Sequence, residues 1–354
     1  MGKEQTHYMP VEALGITEEL SQQLETALLR SEARKGEWEH FTPEFIGTQV
    51  QSMDINDALR QIYDGQKLFQ EARISQPEST IKINSDLPVS IVFFGDWHMG
   101  SIYSDHKEIL RKVQKVIETP NTYVIFMGNL IDNAIPAKYP NNMLVNAIPP
   151  DKQVIMMRQI AMKLNEHDKV LGAVTNPCHE GWTFSAVGQD INALIFGFPE
   201  RKFPVLENGG RLNIHLPKAK YLGAIYHQVG PYESNFNETH ALRQLNRLQL
   251  RMEADFVAGG HKHVAAADEV YEGTGKHRKL VAYIRTGSEK GTGEIYDQWA
   301  IGKYGQTGEP SGQVLHLFPF KKGVACEVDF DIGMLAHESL YLQAMVQRER
   351  AGKI

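Results

Sequence analysis

Histidine, carboxylate and amide side chains stand in five short segments, each directly after an apolar run. The segments are Gly95-Asp96-Trp97-His98, Gly128-Asn129-Leu130-Ile131-Asp132-Asn133, Asn176-Pro177-Cys178-His179-Glu180, Tyr226-His227 and Gly259-Gly260-His261-Lys262-His263. Imidazole nitrogens and carboxylate oxygens are ligands of divalent transition metals. One segment alone would also fit a surface turn, but five of them, all at the ends of apolar runs, predict a metal site.

The order and spacing of these segments resemble the calcineurin-like metallophosphoesterase family. That family's pattern runs D-x-H, G-D-x-x-D, G-N-H-D/E, a lone His and G-H-x-H, and the resemblance covers roughly residues 89 to 288. It implies an α/β/β/α sandwich of two mixed sheets. The helical N-terminal region and the Gly128 to Asn133 segment also resemble phosphoesterases encoded by bacteriophages.

The resemblance also implies a ligand set for two divalent cations, with manganese, zinc, iron and nickel as candidates. Asp96, His98 and His263 would hold one cation, and His227 and His261 with an amide oxygen would hold the other. Paired cations roughly 3.5 to 4 Å apart clamp the oxygens of a phosphoester displacement and activate a water at neutral pH. The expected activity is therefore phosphoester hydrolysis.

Two positions depart from the family pattern. Asn129 stands where the family has its bridging carboxylate, and a neutral amide is a poorer bridge. In the third segment, Pro177 and Cys178 separate Asn176 from His179, so either Asn176 or Cys178 takes the ligand position. A thiolate would favour zinc or iron over magnesium, whereas the alternative reading of Cys178 is a small buried thiol.

The resemblance makes His179 the candidate acid that protonates the leaving oxygen. Asp132 would hydrogen-bond behind it, fixing its tautomer and raising its basicity. A loop cap is the alternative reading of Asp132.

The elements that position these residues alternate between strands and helices from residue 89 onward. Apolar runs predict strands at 89–94, 123–127, 170–174, 221–226, 255–258 and 280–284, with helices at 105–118 and 154–164. Ligands bind where the carboxyl ends of such strands meet. We predict a helical region at 1–75, a linker at 76–88, a metallophosphoesterase domain at 89–330 and a C-terminal helix at 331–354.

Composition narrows the partners. No apolar run approaches the roughly 18 residues of a membrane span, and the N-terminus lacks the apolar block of a signal peptide, so we expect a cytoplasmic protein without membrane contact. Two cysteines make no disulfide framework. The net charge of -6 gives no general attraction to nucleic acid. Arg243, Arg247 and Arg251 form a basic stripe that is either a solvated face or a contact for a nucleic-acid backbone.

Two functions remain open from the sequence. The first is a phosphodiesterase or nuclease acting on DNA or nucleotides, because the phosphoprotein branch of the family has arginines where this chain has Ala134 and Gly181-Trp182. The second is an inactive member that serves as a binding or assembly module, which Asn129 favours. Homo-oligomerisation, for example through the last helix, is left open.

Overall fold

The computed structural model describes residues 75–135, 146–230, 237–251, 253–291, 310–319, 324–327 and 332–350, with six further positions between 55 and 64. The chain divides into two compact units, Met1–Ala72 and Arg73–Ile354. The six positions between 55 and 64 are helical, as expected for the helix after Asp54. The two helices expected before it lie outside the described residues, and the domain bounds stay a prediction.

The described part of Arg73–Ile354 contains eleven strands and six α-helices. The strands are β1 Ser75–Lys82, β2 Val89–Phe94, β3 Thr122–Phe126, β4 Val170–Val174, β5 Val205–Leu216, β6 Ala219–Tyr226, β7 Phe256–Gly259, β8 Ala266–Glu272, β9 Lys279–Arg285, β10 Val314–Leu317 and β11 Val324–Glu327. The helices are α1 His106–Glu118, α2 Pro150–Glu166, α3 His179–Val187, α4 Ile191–Phe196, α5 His240–Leu248 and α6 Ile332–Arg350.

The strands pair into one ladder in the order β11-β10-β2-β3-β4-β5-β6-β7-β9-β8, and β1 pairs with β5. Strand β5 joins two halves of this ladder: Val205 and Leu206 pair with β4, whereas residues 209–216 pair with β6. Where the second stretch begins, Asn208 and Gly209 have φ of 56° and 121°. We call the side from β11 to β4 the first half and the side from β6 to β8 the second half.

Three apolar clusters define the layers. One cluster lies between the two halves and includes Phe93 of β2 and Ile284 of β9. A second packs the outer face of the first half, including Val92, against α1, α2 and α4, and a third packs the second half against Leu242 of α5. The layers therefore run helix, sheet, sheet, helix, which confirms the predicted α/β/β/α class. The two predicted sheets are halves of one continuous ladder.

The burial of β2 explains its unbroken apolar sequence. Successive side chains of a strand point to opposite faces, and here Ile91 and Phe93 face the core between the halves while Val92 and Phe94 face the helices. A parallel strand covered on both faces cannot show a polar alternation. The sequence therefore marks this strand by an apolar run rather than by periodicity.

Helix α1 follows β2 and covers it. The Asp105 side chain accepts a hydrogen bond from the Glu108 N–H (2.9 Å), which caps the first turn. Ile109, Val113 and Val116 recur at helical spacing and are buried against the sheet.

Most of the predicted elements are found near their expected bounds, and β2 and β4 have the predicted bounds. Residues 76–82 of the predicted linker form a strand, β1, where the sequence suggested a loop. Its Pro and Ser residues suggested a loop, but they suit β1, which pairs with β5 outside the main strand order. Helix α6 packs on the same unit, where Gln343 Nε2 donates to the Pro120 carbonyl (3.0 Å).

Candidate metal centre

The five segments meet at one edge of the folded ladder. Asp96, Asn129 and Asn176 follow β2, β3 and β4 of the first half, and His227 and His261 follow β6 and β7 of the second half. Neighbouring strands within each of these sets are parallel, so their carboxyl ends lie side by side. The convergence expected from the sequence is therefore found.

Main-chain hydrogen bonds continue the ladder beyond the strand ends. Asp96 N–H donates to the Gly128 carbonyl (3.0 Å), and His98 N–H donates to the Asn129 carbonyl (2.9 Å). From the second half, Gly260 N–H donates to the His227 carbonyl (3.0 Å). The first segment is thus fixed to the second, and the fourth to the fifth, by backbone hydrogen bonds alone.

Many residues of these segments have a left-handed backbone. Among the described non-glycine residues with positive φ, six of ten belong here: Asp96 (51°), His98 (46°), Asn129 (50°), Asn133 (41°), His261 (77°) and His263 (59°). Such conformations cost on the order of 1 to 3 kcal/mol each and concentrate at functional sites. The strain supports a functional rather than a purely structural role for the segments.

Gly128 lets two of the segments approach closely. Its φ is 88°, and a Cβ there would lie 2.7 Å from Asn176 Nδ2 and 2.8 Å from His227 Nδ1. A side chain at this position would therefore push the third and fourth segments away from the second.

Asp96, His98 and His263 form the first cluster, in which one ligand atom from each residue lies within 4.8 Å of the others. The Nε2 atoms of His98 and His263 are 3.0 Å apart, and His263 Nε2 is 3.7 Å from Asp96 Oδ1. All three side chains are buried. Two imidazole nitrogens and one carboxylate oxygen that converge in this way form a donor set suited to a divalent transition metal.

Asn129 lies beside this cluster. Its amide nitrogen donates to Asp96 Oδ1 (3.1 Å), whereas its buried Oδ1 has no hydrogen-bond partner among the described residues. A buried amide oxygen without a donor is unfavourable by about 1 to 3 kcal/mol unless it binds a cation or accepts a hydrogen bond from water. The atom is therefore available to a cation.

Cys178, His227 and His261 form the second cluster, again with ligand atoms within 4.8 Å of one another. His227 Nδ1–H donates to the Met127 carbonyl (2.7 Å), which leaves the lone pair on Nε2. That Nε2 is buried and has no hydrogen-bond partner within the described part of the chain. The donor set of this cluster differs from the first because it contains a thiol.

Asn176, the other ligand candidate of the third segment, is hydrogen-bonded within the protein. Its Oδ1 accepts from the Cys178 N–H (2.8 Å), and its Nδ2 donates to Glu180 Oε2 (2.5 Å). Glu180 in turn accepts from the main-chain N–H groups of Leu130 (2.6 Å) and Ile131 (3.3 Å). Asn176 and Glu180 therefore tie the third segment to the second.

His179 lies over the first cluster, with its ring centroid 4.3 Å from that of His98. Its Nδ1–H donates to the main-chain carbonyl of Asp132 (2.5 Å), while the Asp132 carboxylate is 3.9 Å away. The carboxylate instead accepts from His98 Nδ1 (3.2 Å) and from Lys290 Nζ (2.9 Å). The residue predicted behind His179 is thus present, but it holds the imidazole through its backbone.

Burial governs the charge state of these groups. It raises the pKa of Asp96 to about 8 and lowers the pKa of His227 to about 3 and of His179 to about 4. The pKa values of His98 and His263 are lowered well below 6.5, also chiefly by burial. At neutral pH the protein without cations therefore presents neutral imidazoles, whose lone pairs can bind a cation.

Sequence reasoning assigned no role to three residues that support the site. The Lys290 ammonium group donates to the Asp132 carboxylate, and Ser288 Oγ donates to the Asp96 carbonyl (2.6 Å). Glu180 joins the second and third segments. All three lie outside the positions that the family pattern marks as ligands. For Ser288 the available signal was the run Arg285-Thr286-Gly287-Ser288 after β9, since it also follows a strand of the second half.

Two other sequence features have structural contacts. Arg247 forms a bidentate ion pair with the buried Glu272, in which Nη2 donates to Oε1 (3.1 Å) and Nε donates to Oε2 (3.2 Å). Arg243 Nε lies 3.9 Å from the same carboxylate. Two guanidinium groups of the basic stripe are therefore engaged within the protein. Trp97 is fully buried and packs on Phe94 with ring centroids 4.9 Å apart.

Comparison with known proteins finds solved structures of low similarity. No family model matches the sequence, and no curated protein matches it. Similar solved structures include Vacuolar Protein Sorting 29 from Cryptosporidium parvum, with 16% identity over 68% of this chain and 98% of that chain and a TM-score of 0.36. Another is Vps29 complexed with zinc from Entamoeba histolytica, with 15% identity over 69% of this chain and 100% of that chain and a TM-score of 0.33.

A calcineurin-like phosphoesterase, YfkN from Bacillus subtilis, is similar with 11% identity over 75% of this chain and 99% of that chain, at a TM-score of 0.37. At these identities and scores the likeness assigns no activity. The expected resemblance to bacteriophage proteins stays a prediction. Within the described residues, the structure contains no helix long and apolar enough to cross a membrane.

Proposed function

We propose that this protein is a metal-dependent phosphoesterase that hydrolyses phosphodiesters of nucleic acid or nucleotides at a pair of divalent cations. The observation that carries the proposal is the meeting of two ligand clusters at one sheet edge. In the first, Nε2 of His98 and Nε2 of His263 face each other at 3.0 Å beside Asp96. In the second, the buried His227 Nε2 lacks a partner among the described residues.

The residues divide into roles. Asp96, His98 and His263 would hold one cation, His227 and His261 the other, and the Asn129 amide oxygen would lie between them. When bound, the cations supply Lewis acidity and an activated water. Asp132 accepts from His98 Nδ1 (3.2 Å), which keeps the His98 lone pair on Nε2.

His179 would protonate the leaving oxygen. Burial lowers its pKa to about 4, so it needs a neighbouring negative charge to hold a proton at neutral pH. An anionic phosphoester supplies that charge, because an opposite charge within a few ångströms favours the protonated imidazole. The Asp132 carbonyl, bound to Nδ1, directs Nε2 as the proton-donating atom.

A second candidate function is a binding module without turnover, and Asn129 favours it. Losing the carboxylate removes one negative charge between the cations, which weakens their binding. The Asn129→Asp variant separates the two candidates. Hydrolysis that appears or increases in this variant indicates an enzyme site weakened by the amide, whereas unchanged hydrolysis in an active protein indicates that the amide is tolerated.

The test measures metal content by elemental analysis and then hydrolysis of bis-p-nitrophenyl phosphate with manganese, zinc, nickel or magnesium. We expect two cations per chain and turnover that falls by about 10²- to 10⁴-fold in His179→Ala, the usual contribution of general acid catalysis. His277→Ala is the control because His277 is exposed on a short 3-10 helix. Absence of hydrolysis in both wild type and Asn129→Asp, with every metal, would refute the enzyme proposal.

A further inference from the structure

The second cluster contains an unusual ligand type for the proposed chemistry. Cys178 Sγ lies 3.9 Å from His261 Nδ1, and one ligand atom from each of Cys178, His227 and His261 lies within 4.8 Å of the others. Cys178 is half-buried and forms no disulfide. A thiol between two imidazoles has the composition of a zinc-type donor set.

An independent observation points to a ligand at this place. His227 is fully buried, and its Nε2 has no hydrogen-bond partner within the described residues. Its tautomer is fixed by the 2.7 Å hydrogen bond from Nδ1 to the Met127 carbonyl, so Nε2 carries a lone pair. A buried lone pair without a donor fits a cation bound on the same side.

Asn176 is poorly placed to act as the ligand instead. Its nitrogen donates to Glu180, and its oxygen already accepts from the Cys178 N–H, so the oxygen could bind a cation only through its second lone pair. The Asn176 side chain therefore shapes the turn that presents Cys178. The Cys178 sulfur is the atom of this segment that belongs to the second cluster.

Charge gives a reason for the sulfur. With Asn129 in the bridging position, Asp96 is the one carboxylate of the two clusters, because the nearby Asp132 carboxylate is paired with Lys290. A thiolate at Cys178 restores a second negative charge. Cys178 is also the N-cap of α3, where the helix dipole favours negative charge.

We propose that Cys178 binds the second cation as a thiolate, offsets the charge that Asn129 lacks, and makes this position selective for zinc over magnesium. The inference rests on the proposed function, since it assigns a ligand within the same centre. On binding, the thiol proton leaves to solvent and the sulfur lone pair forms the bond to the metal. Soft thiolate ligands favour zinc, whereas magnesium prefers oxygen ligands.

The test is cobalt(II) titration of the metal-free, full-length protein, followed by absorption spectroscopy and elemental analysis. We expect a thiolate-to-cobalt charge-transfer band in the near ultraviolet for wild type. The band should be lost in Cys178→Ser and kept in Cys326→Ser, the matched control in β11. If cobalt binds to wild type without the band, or if Cys178→Ser keeps it, the sulfur is not a ligand and the thiolate proposal fails, while the metal centre itself stands. If no cobalt binds, both proposals fail.

Metal competition tests the selectivity. Loss of an outer partner of a metal ligand already lowers affinity by about 10- to 100-fold, so Cys178→Ser should lower zinc affinity by at least about tenfold and leave magnesium affinity nearly unchanged. Adding Asn129→Asp to Cys178→Ser should restore much of the zinc affinity without restoring the band. Equal losses for zinc and magnesium, or no rescue by the added carboxylate, would overturn the charge argument.

Discussion

Replacement of Lys112 by methionine should destabilise the protein far more than replacement of an exposed lysine. Lys112 Nζ contacts Glu289 Oε1 and the Ser311 carbonyl, and the two charged side chains are 1% and 0% exposed. Glu289 Oε1 also accepts from Ser311 Oγ (2.8 Å). Lys112→Met keeps most of the apolar stem but leaves a buried carboxylate without its cation.

The expected loss is about 3 to 5 kcal/mol in the free energy of unfolding, the usual effect of removing one partner of a buried ion pair. This is a large part of the 5 to 15 kcal/mol that is typical of whole domains. The matched control is Lys202→Met. Its lysine lies 2.7 Å from Asp168, but these side chains are 57% and 73% exposed, so the change should stay below about 1 kcal/mol.

Urea denaturation followed by circular dichroism measures both variants. The double variant Lys112→Met with Glu289→Gln should recover part of the loss, because it removes the unpaired charge. Glu289 N–H donates to the Asp96 carbonyl (3.2 Å), so the first variant should also weaken metal binding. Equal losses for Lys112→Met and Lys202→Met would refute the reasoning from burial.

Further predictions follow from the supporting contacts. Glu180→Ala leaves two buried N–H groups without an acceptor and should lower the free energy of unfolding by about 1 to 3 kcal/mol. Glu180→Gln keeps one acceptor oxygen and should lower it less. Thermal unfolding compares the two variants. Arg247→Ala removes the partner of Glu272 and should lower the free energy of unfolding by about 1.5 to 3 kcal/mol. It should leave the affinity for DNA, measured by fluorescence anisotropy, unchanged. The control is Arg251→Ala, which should have near wild-type stability because Arg251 is exposed. Burial lowers the pKa of His227 to about 3 in the folded protein. Below about pH 6.5 the His227 side chain is therefore protonated in unfolded chains but not in folded ones. Its contribution to stability is present above pH 6.5 and is lost as the pH falls. In denaturation of metal-free protein between pH 7 and 5, His227→Gln should therefore lose less stability than wild type.

The sequence pattern was sufficient for most strands and for the edge that carries the site, whereas the layers were expected from the family resemblance. Apolar runs such as 89–94 mark strands covered on both faces, and ligand-type residues directly after them must meet where parallel strands end. The continuity of the two sheets through β5 was not predictable, because it depends on the passage at Asn208 and Gly209. The strand β1 was missed because its Pro and Ser residues are also typical of loops.

Side-chain direction within the site was the least predictable part. The motif places Asp132 behind His179, but which of its oxygens makes the contact depends on left-handed backbone conformations that the sequence does not encode locally. Lys290 contacts Asp132 although the two are 158 residues apart in sequence, and no local sequence pattern predicts such a contact. The choice between Asn176 and Cys178 likewise depends on the position of Glu180.

Both ligand clusters draw on the first and the second half of the ladder. His98 and His263, which face each other at 3.0 Å, are 165 residues apart in sequence. A chain that is still being synthesised, or one in which only the first half has folded, contains no complete chelating set. Metal capture would therefore come after completion of the tertiary fold, and the bound ion would act as a cross-link between the two halves that stabilises the finished protein and not its folding intermediates.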